Sequence, residues 1–134
     1  MFNVKLPTKR VVIAGCRDYY NYDEAKIYID FCLSNIRKEN EIVIVSGCAS
    51  GADAIGEHYA RENGFRVEKY PANWGKYGKG AGPIRNKQMA EACDYVICFW
   101  DGKSRGTKSM IEFAKECNKP VRVKKIYREK EYLY

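Results

Sequence analysis

Only one histidine, His58, occurs among the 134 residues, and none of the six cysteines stands in a C-x-x-C pair. Zinc-ligand spacing is therefore missing and no metal site is expected. A serine or cysteine nucleophile paired with histidine is not expected either. The longest apolar runs, such as Val11–Ala14 and Tyr95–Trp100, fall far short of the roughly 20 residues that cross a bilayer. Met1 to Arg10 has no apolar h-region, so no secretory signal is expected and the chain reads as soluble and cytoplasmic. Neither G-x-x-x-x-G-K-[ST] nor G-x-G-x-x-G is present, which removes support for an ATPase or an ordinary NAD enzyme.

What is present is ordinary for a globular chain: 46% hydrophobic and 31% charged residues. A length of 134 residues reads as one domain, 1–134, able to bury a real core without staples. Cys32, Cys98 and Cys117 lie among apolar neighbours and read as reduced core residues. Cys16 and Cys48 each follow a glycine at the end of an apolar run, where a site could form. Lysine and arginine total 24 against 17 acids, a balance of +7 that favours polyanions, either nucleic acid or small phosphorylated ligands. Between Lys76 and Lys108, basic residues outnumber Glu91, Asp94 and Asp101, whereas Lys115–Lys130 reads as a solvated surface.

Short β-branched runs alternate with helical periodicity. Val11–Gly15, Ile42–Val45, Arg66–Tyr70, Tyr95–Phe99 and Val121–Ile126 are predicted strands. Helices are predicted from near Asp23 through Ile36, from Ala52 to Asn63 with Gly64 as cap, from Pro83 after a glycine-rich loop (Pro71–Gly82), and over the stripe Met110, Phe113, Ala114, Cys117. Strand-then-helix repetition implies parallel pairing through right-handed crossovers. The expected fold is α/β, a single Rossmann-like three-layer sandwich with about five parallel strands.

In such sheets, ligands bind beyond the carboxyl ends of the strands. Three small-residue loops follow strands directly: Gly15-Cys16-Arg17, Ser46–Asp53 and Asp101–Thr107. Two lead into helices, whose free N–H groups and positive dipole end suit a phosphate. Arg85 with Asn86 is the candidate charged grip, because a guanidinium can hold phosphate bidentately. The expected ligand-binding set is Gly15, Cys16, Arg17, Ser46, Gly47, Ser50, Gly51, Asp53, Arg85, Asn86, Trp100, Asp101, Ser104, Gly106 and Thr107. Trp100 reads either as a stacking platform for a base or as core packing, and Asp53 either as a ribose contact or as a helix cap. Trp74 and Tyr77 read as anchors of the long loop.

Taken in order, Ile13–Arg17, Val45-Ser46-Gly47 with Ser50–Asp53, Ala72-Asn73-Trp74, Tyr77-Gly78-Lys79, Ala81–Asn86 with Met89, Phe99–Gly102 and Ser104–Thr107 resemble the SLOG superfamily, in its small stand-alone branch related to YpsA and YspA. The resemblance runs from about Arg10 to Val123. It implies a pocket for a nucleotide or an ADP-ribose-like ligand, no further cofactor, and association as a homodimer. The superfamily is similar in its first half to the DNA-processing protein DprA and in its second to LOG-type phosphoribohydrolases. Two alternatives follow: hydrolysis of an N-glycosidic bond, and DprA-like single-stranded DNA binding.

LOG-type hydrolases pair an arginine like Arg85 with a glutamate three residues after the glycine–threonine pair, where this chain has Met110. Glu112 lies two residues further on, about 200° around a helix. The catalytic candidates are therefore Arg85, Glu112 and Asp101, with Asp53 or Glu57 as substitutes, and the displaced glutamate argues for binding over this hydrolysis.

Overall fold

The computed structural model describes residues 5–127. The ends of the expected 1–134 domain lie outside the described residues, as do the start of Met1–Arg10 and the end of Lys115–Lys130. Strands β1 (Thr8–Gly15), β2 (Glu41–Ser46), β3 (Arg66–Lys69), β4 (Tyr95–Trp100) and β5 (Val121–Lys125) form one sheet in the order β3-β2-β1-β4-β5. Every neighbouring pair is parallel. The helices are α1 (Tyr22–Leu33), α2 (Ile36–Glu39), α3 (Ala52–Asn63), α4 (Trp74–Tyr77), α5 (Ala81–Ala92) and α6 (Arg105–Glu116). This is a Rossmann-like α/β sandwich.

Its core explains the unbroken apolar runs. Val11 and Ile13 of β1 pack with Ala25, Ile29, Ile55 and Tyr59 of α1 and α3. The alternate residues Val12 and Ala14 pack with Met89, Ala90, Met110 and Ala114 of α5 and α6 on the other face. A central strand covered on both faces has no side left for polar residues. The chain runs outward through β2 and β3 over one face, then crosses to β4 and β5 over the other. A crevice therefore opens past the carboxyl ends of β1 and β4, where the strand order reverses.

Several boundaries differ from expectation. Helix α1 starts at Tyr22 because Asn21 caps it, its Oδ1 accepting the Glu24 N–H at 3.2 Å. Strand β3 stops at Lys69 and β5 at Lys125. The glycine-rich stretch holds α4, capped by Asn73 accepting from Lys76 N at 3.0 Å, and a 3₁₀ turn at Gly78–Gly80. Helix α5 accordingly begins at Ala81, and Pro83 is its third residue rather than its first. No disulfide links the six cysteines. Among the described residues no helix is long and apolar enough to cross a membrane.

Candidate functional site

The loops after β1 and β2 are locked together by main-chain contacts. Gly15 has φ +153°, and a Cβ on it would strike the Phe99 carbonyl oxygen of β4. Gly51 has φ +71°, and a Cβ there would run into the backbone of Cys16 and Arg17. That close approach lets Ala52 N–H donate to Cys16 O at 3.1 Å and Ser50 Oγ donate to Arg17 O at 2.9 Å. Glycine is required at Gly51 on both counts, conformation and space.

These loops wall a cavity of about 700 Å³ at the strand-order switch. The β1 loop supplies Gly15, Cys16, Arg17 and Asp18; α5 supplies Arg85, Asn86 and Met89; the start of α6 supplies Ser104–Thr107, Ser109 and Met110. Ala49, Asp53 and Trp74 complete it with Ala14, Gly82 and Pro83. A second cavity of about 330 Å³ is lined by Gly47, Cys48, Ser50, Pro71 and Ala72, and shares Arg17, Ala49, Trp74 and Arg85 with the first. The Arg17 guanidinium lies over the Trp74 ring, 5.9 Å from its centre.

Arg85 is the central side chain. It is buried, with its guanidinium donating to Gly47 O, to Tyr70 O at 3.4 Å and to Asn86 Oδ1 at 3.0 Å. All three acceptors are neutral. Burial lowers its pKa, which nearby Asp53 raises and Arg17 lowers further. Asp53 is buried too, and burial raises its pKa against the opposing pull of the Ala49 N–H and Arg85. Its Oδ2 accepts from Ala49 N at 3.1 Å. Asp53 shapes the β2 loop and does not cap α3, whose preceding residue is Gly51 and which has no side-chain cap.

At the start of α6, Ser104 Oγ accepts from Thr107 N at 3.4 Å and lies 3.2 Å from Thr107 Oγ1. First-turn amides of a helix have no intrahelical partner, so this end of α6 is where an anion would find donors. Asn86 ties α5 to it, donating to Gly106 O at 3.3 Å.

Other expected residues stand behind the cavity. Asp101 Oδ1 accepts from Lys103 N and Ser104 N, both at 2.8 Å, and so shapes the turn that presents α6. Trp100 donates its indole N–H to Ser104 O at 3.0 Å and packs against the core clusters, outside the lining of both cavities. Ser46 donates to Glu57 Oε2 at 2.6 Å and accepts from Cys48 N at 3.1 Å, again away from the cavities. Glu112 is exposed and pairs with Lys108 at 3.8 Å. Gly51 holds the loops without lining either cavity, whereas Gly47 and Ser50 line the smaller one. His58 is a surface residue, stacked on Tyr22 and 3.3 Å from Glu62.

Sequence reasoning missed Asp18, Arg105 and Ser109 as lining residues, whereas Ala49 falls within the expected Ser46–Asp53 loop. The spacing of Arg105 and Ser109, one helical turn apart just after a strand-end loop, was the available signal.

Comparison with known proteins fits this geometry. The family model described as YAcAr, the YspA, cpYpsA-related SLOG family, matches residues 9–77. Gene 61 protein of Mycobacterium phage D29 is 34% identical over 119 residues, covering 84% of this chain and 94% of that protein. Among solved structures, DprA from Streptococcus pneumoniae superposes with a TM-score of 0.66 at 21% identity, over 88% of this chain and 50% of that one. This chain thus spans half the length of that protein. DprA from Helicobacter pylori, described for its single-stranded DNA binding mode, gives 0.62 at 23% identity, over 92% and 68%. At such identities the likeness to DprA is one of fold. The family match, the relative at 34% identity and the sheet with its strand-end loops agree: the chain belongs to the YspA, cpYpsA-related SLOG family.

Proposed function

We propose that the cleft binds a nucleotide or a nucleotide-derived phosphorylated small molecule, and that the protein acts as a sensor or carrier of it. One observation supports this above the rest: a buried guanidinium, Arg85, borders a cavity of about 700 Å³ while bonding, among the described residues, only neutral oxygens. A buried charge without an ionic contact is costly unless a counter-ion completes it. A phosphate does so, with the α6 amides available beside it.

N-glycosidic hydrolysis of the same ligand is the alternative. Of Asp53, Glu57, Asp101 and Glu112, Asp53 alone lines the larger cavity, and with Asp18 in the same wall it is a carboxylate within reach of such chemistry. Met110 lines that cavity where the LOG-type glutamate would stand, which favours binding. Single-stranded DNA is the other reading, favoured by the +7 charge and the fold shared with DprA.

Thermal denaturation with nucleoside monophosphates, cyclic nucleotides, NAD and ADP-ribose tests the proposal. A ligand at about 100 times its dissociation constant adds roughly 2.7 kcal/mol, a readily measured rise in Tm. Arg85→Ala is expected to abolish the rise. No shift with any nucleotide, together with oligonucleotide binding that weakens steeply with salt, would transfer the assignment to DNA.

A further inference from the structure

Neither the core nor the Arg85 anion site accounts for Trp74. Its side chain is 50% exposed, and among the described residues it packs in neither core cluster. An indole has a large apolar area to bury, so half-exposure at this position needs a local reason. Two features hold the ring there. Asn73 caps α4 immediately before it, and Gly82 of α5 leaves it room, since a Cβ on that glycine would lie 3.5 Å from Trp74 Cη2. The ring stands where the two cavities meet, with Arg17, Ala49 and Arg85.

Arg17 poses the complementary question. Its main chain is clamped: Ser50 Oγ donates to its carbonyl at 2.9 Å, and a Cβ on Gly51 would run into its backbone. That clamp fixes the Cα but not the long, exposed side chain. A second guanidinium, Arg85, borders the same rim, and like charges repel. After burial and the opposing pull of Asp53, this repulsion is a further cause acting on the Arg85 pKa, which it lowers. Repulsion alone would turn Arg17 out to solvent. Its guanidinium nevertheless lies over the Trp74 ring, 5.9 Å from the centre. Asp53 attracts Arg17 too, from beyond the 4.0 Å of an ion pair. The negative face of the indole supplies the contact that holds the cation at the rim.

We infer that Trp74 is a positioning residue of the anion site: it acts through Arg17, holding that guanidinium at the rim beside Arg85, so that an entering phosphate meets two preplaced cations. This rests on the phosphate reading above and adds to it a second cation and the residue that places it. An arginine already held at the cavity loses less side-chain freedom on binding than one recruited from solvent, and the gain in affinity comes from that difference. The indole acts in this way without touching the anion.

Isothermal titration of the full chain with pyrophosphate, an anion with no ring to stack on the indole, tests this through a double-mutant cycle. Arg17→Met is expected to weaken binding roughly tenfold or more, the loss of a charged hydrogen-bond donor. Trp74→Leu is expected to weaken it about two- to fivefold, the fold-change of a cation–π contact at an exposed site. In the Arg17→Met background Trp74→Leu is expected to change nothing. Trp74→Phe, which keeps a ring face, is expected to retain most of the affinity, and taken through the same cycle it secures the test against a folding defect in the leucine variant. A residue that merely shaped the wall would weaken binding by the same factor in both backgrounds. That result, or unchanged affinity in Trp74→Leu, overturns the inference and leaves phosphate binding at Arg85 standing. Failure of pyrophosphate to bind the wild-type chain overturns both.

Discussion

Gly47 is the point where the cavity's buried charges converge, and replacing it by alanine separates site geometry from general stability. A Cβ there would lie 2.8 Å from Arg85 Nη1, 2.8 Å from Asp53 Oδ2 and 3.0 Å from Arg85 Cζ. Optimal contacts between carbon atoms are about 3.5–4.0 Å, so the guanidinium or the carboxylate must move. Neither is slack: Arg85 is held by Asn86, Gly47 and Tyr70, and Asp53 by the Ala49 N–H. Overpacking of this kind costs about 1–3 kcal/mol. Restricting the unfolded chain returns roughly 0.4–1 kcal/mol, leaving a net loss of about 1–2 kcal/mol. For a domain of this size that lowers Tm by roughly 4–8 °C.

Gly56→Ala supplies the matched control. Its Cβ would meet Ile13 Cβ at 2.8 Å and Cγ2 at 3.0 Å, in the core beneath α3 and away from the arginine. Steric cost there is partly offset by about 1 kcal/mol of helix propensity. Circular dichroism melts should place both variants at or below wild type. Titration with ADP-ribose should show a loss of tenfold or more for Gly47→Ala and none for Gly56→Ala. Wild-type affinity in Gly47→Ala, or parallel losses in both variants, would refute the role given to the Arg85 position.

Burial raises the Asp53 carboxyl pKa, with the Ala49 N–H and Arg85 pulling the other way. Its contribution to stability is therefore full below the unfolded pKa of about 3.9 and lost as pH rises through the raised folded value. Asp53→Asn, which keeps an acceptor for Ala49, should raise Tm at pH 7, and the gain should shrink as pH falls toward 4; a gain that grows on acidification contradicts this. Glu112→Ala removes a pair at 3.8 Å whose side chains are 64% and 59% exposed, so its melt should shift by less than about 0.5 kcal/mol with nucleotide affinity intact. Lost affinity there would return Glu112 to the site. Burial pushes the Cys93 thiol up to about 11 and Cys98 to about 12, while Cys48 is exposed. Brief iodoacetamide treatment read by mass spectrometry should label Cys48 first and leave Cys93 and Cys98 unmodified until denaturant is added; early labelling of Cys98 would contradict its burial.

Periodicity is a local property, and it was enough to read the five strands, the main helices and the parallel α/β plan from the chain itself. Unbroken β-branched runs such as Val11–Ala14 suit a strand covered on both faces, as β1 is. The strand-end loops were legible for the same reason, because glycine clusters directly after β-branched runs have few other uses. Short capped turns were not. Asn73 starts α4 inside a stretch whose glycines argue for irregular chain, and a single side-chain bond decides the outcome. The site itself depended on contacts between distant residues. Arg85 reaches Gly47 O across 38 positions, and that approach buries its charge on the cavity wall. Trp100 turned its N–H to Ser104 O, and Glu112 fell on the exposed side of α6 while Met110 took the cavity side. Residue types and order specified which groups could hold an anion. Only packing decided which of them face one another, because burial and charge compensation are set by neighbours far away in the chain.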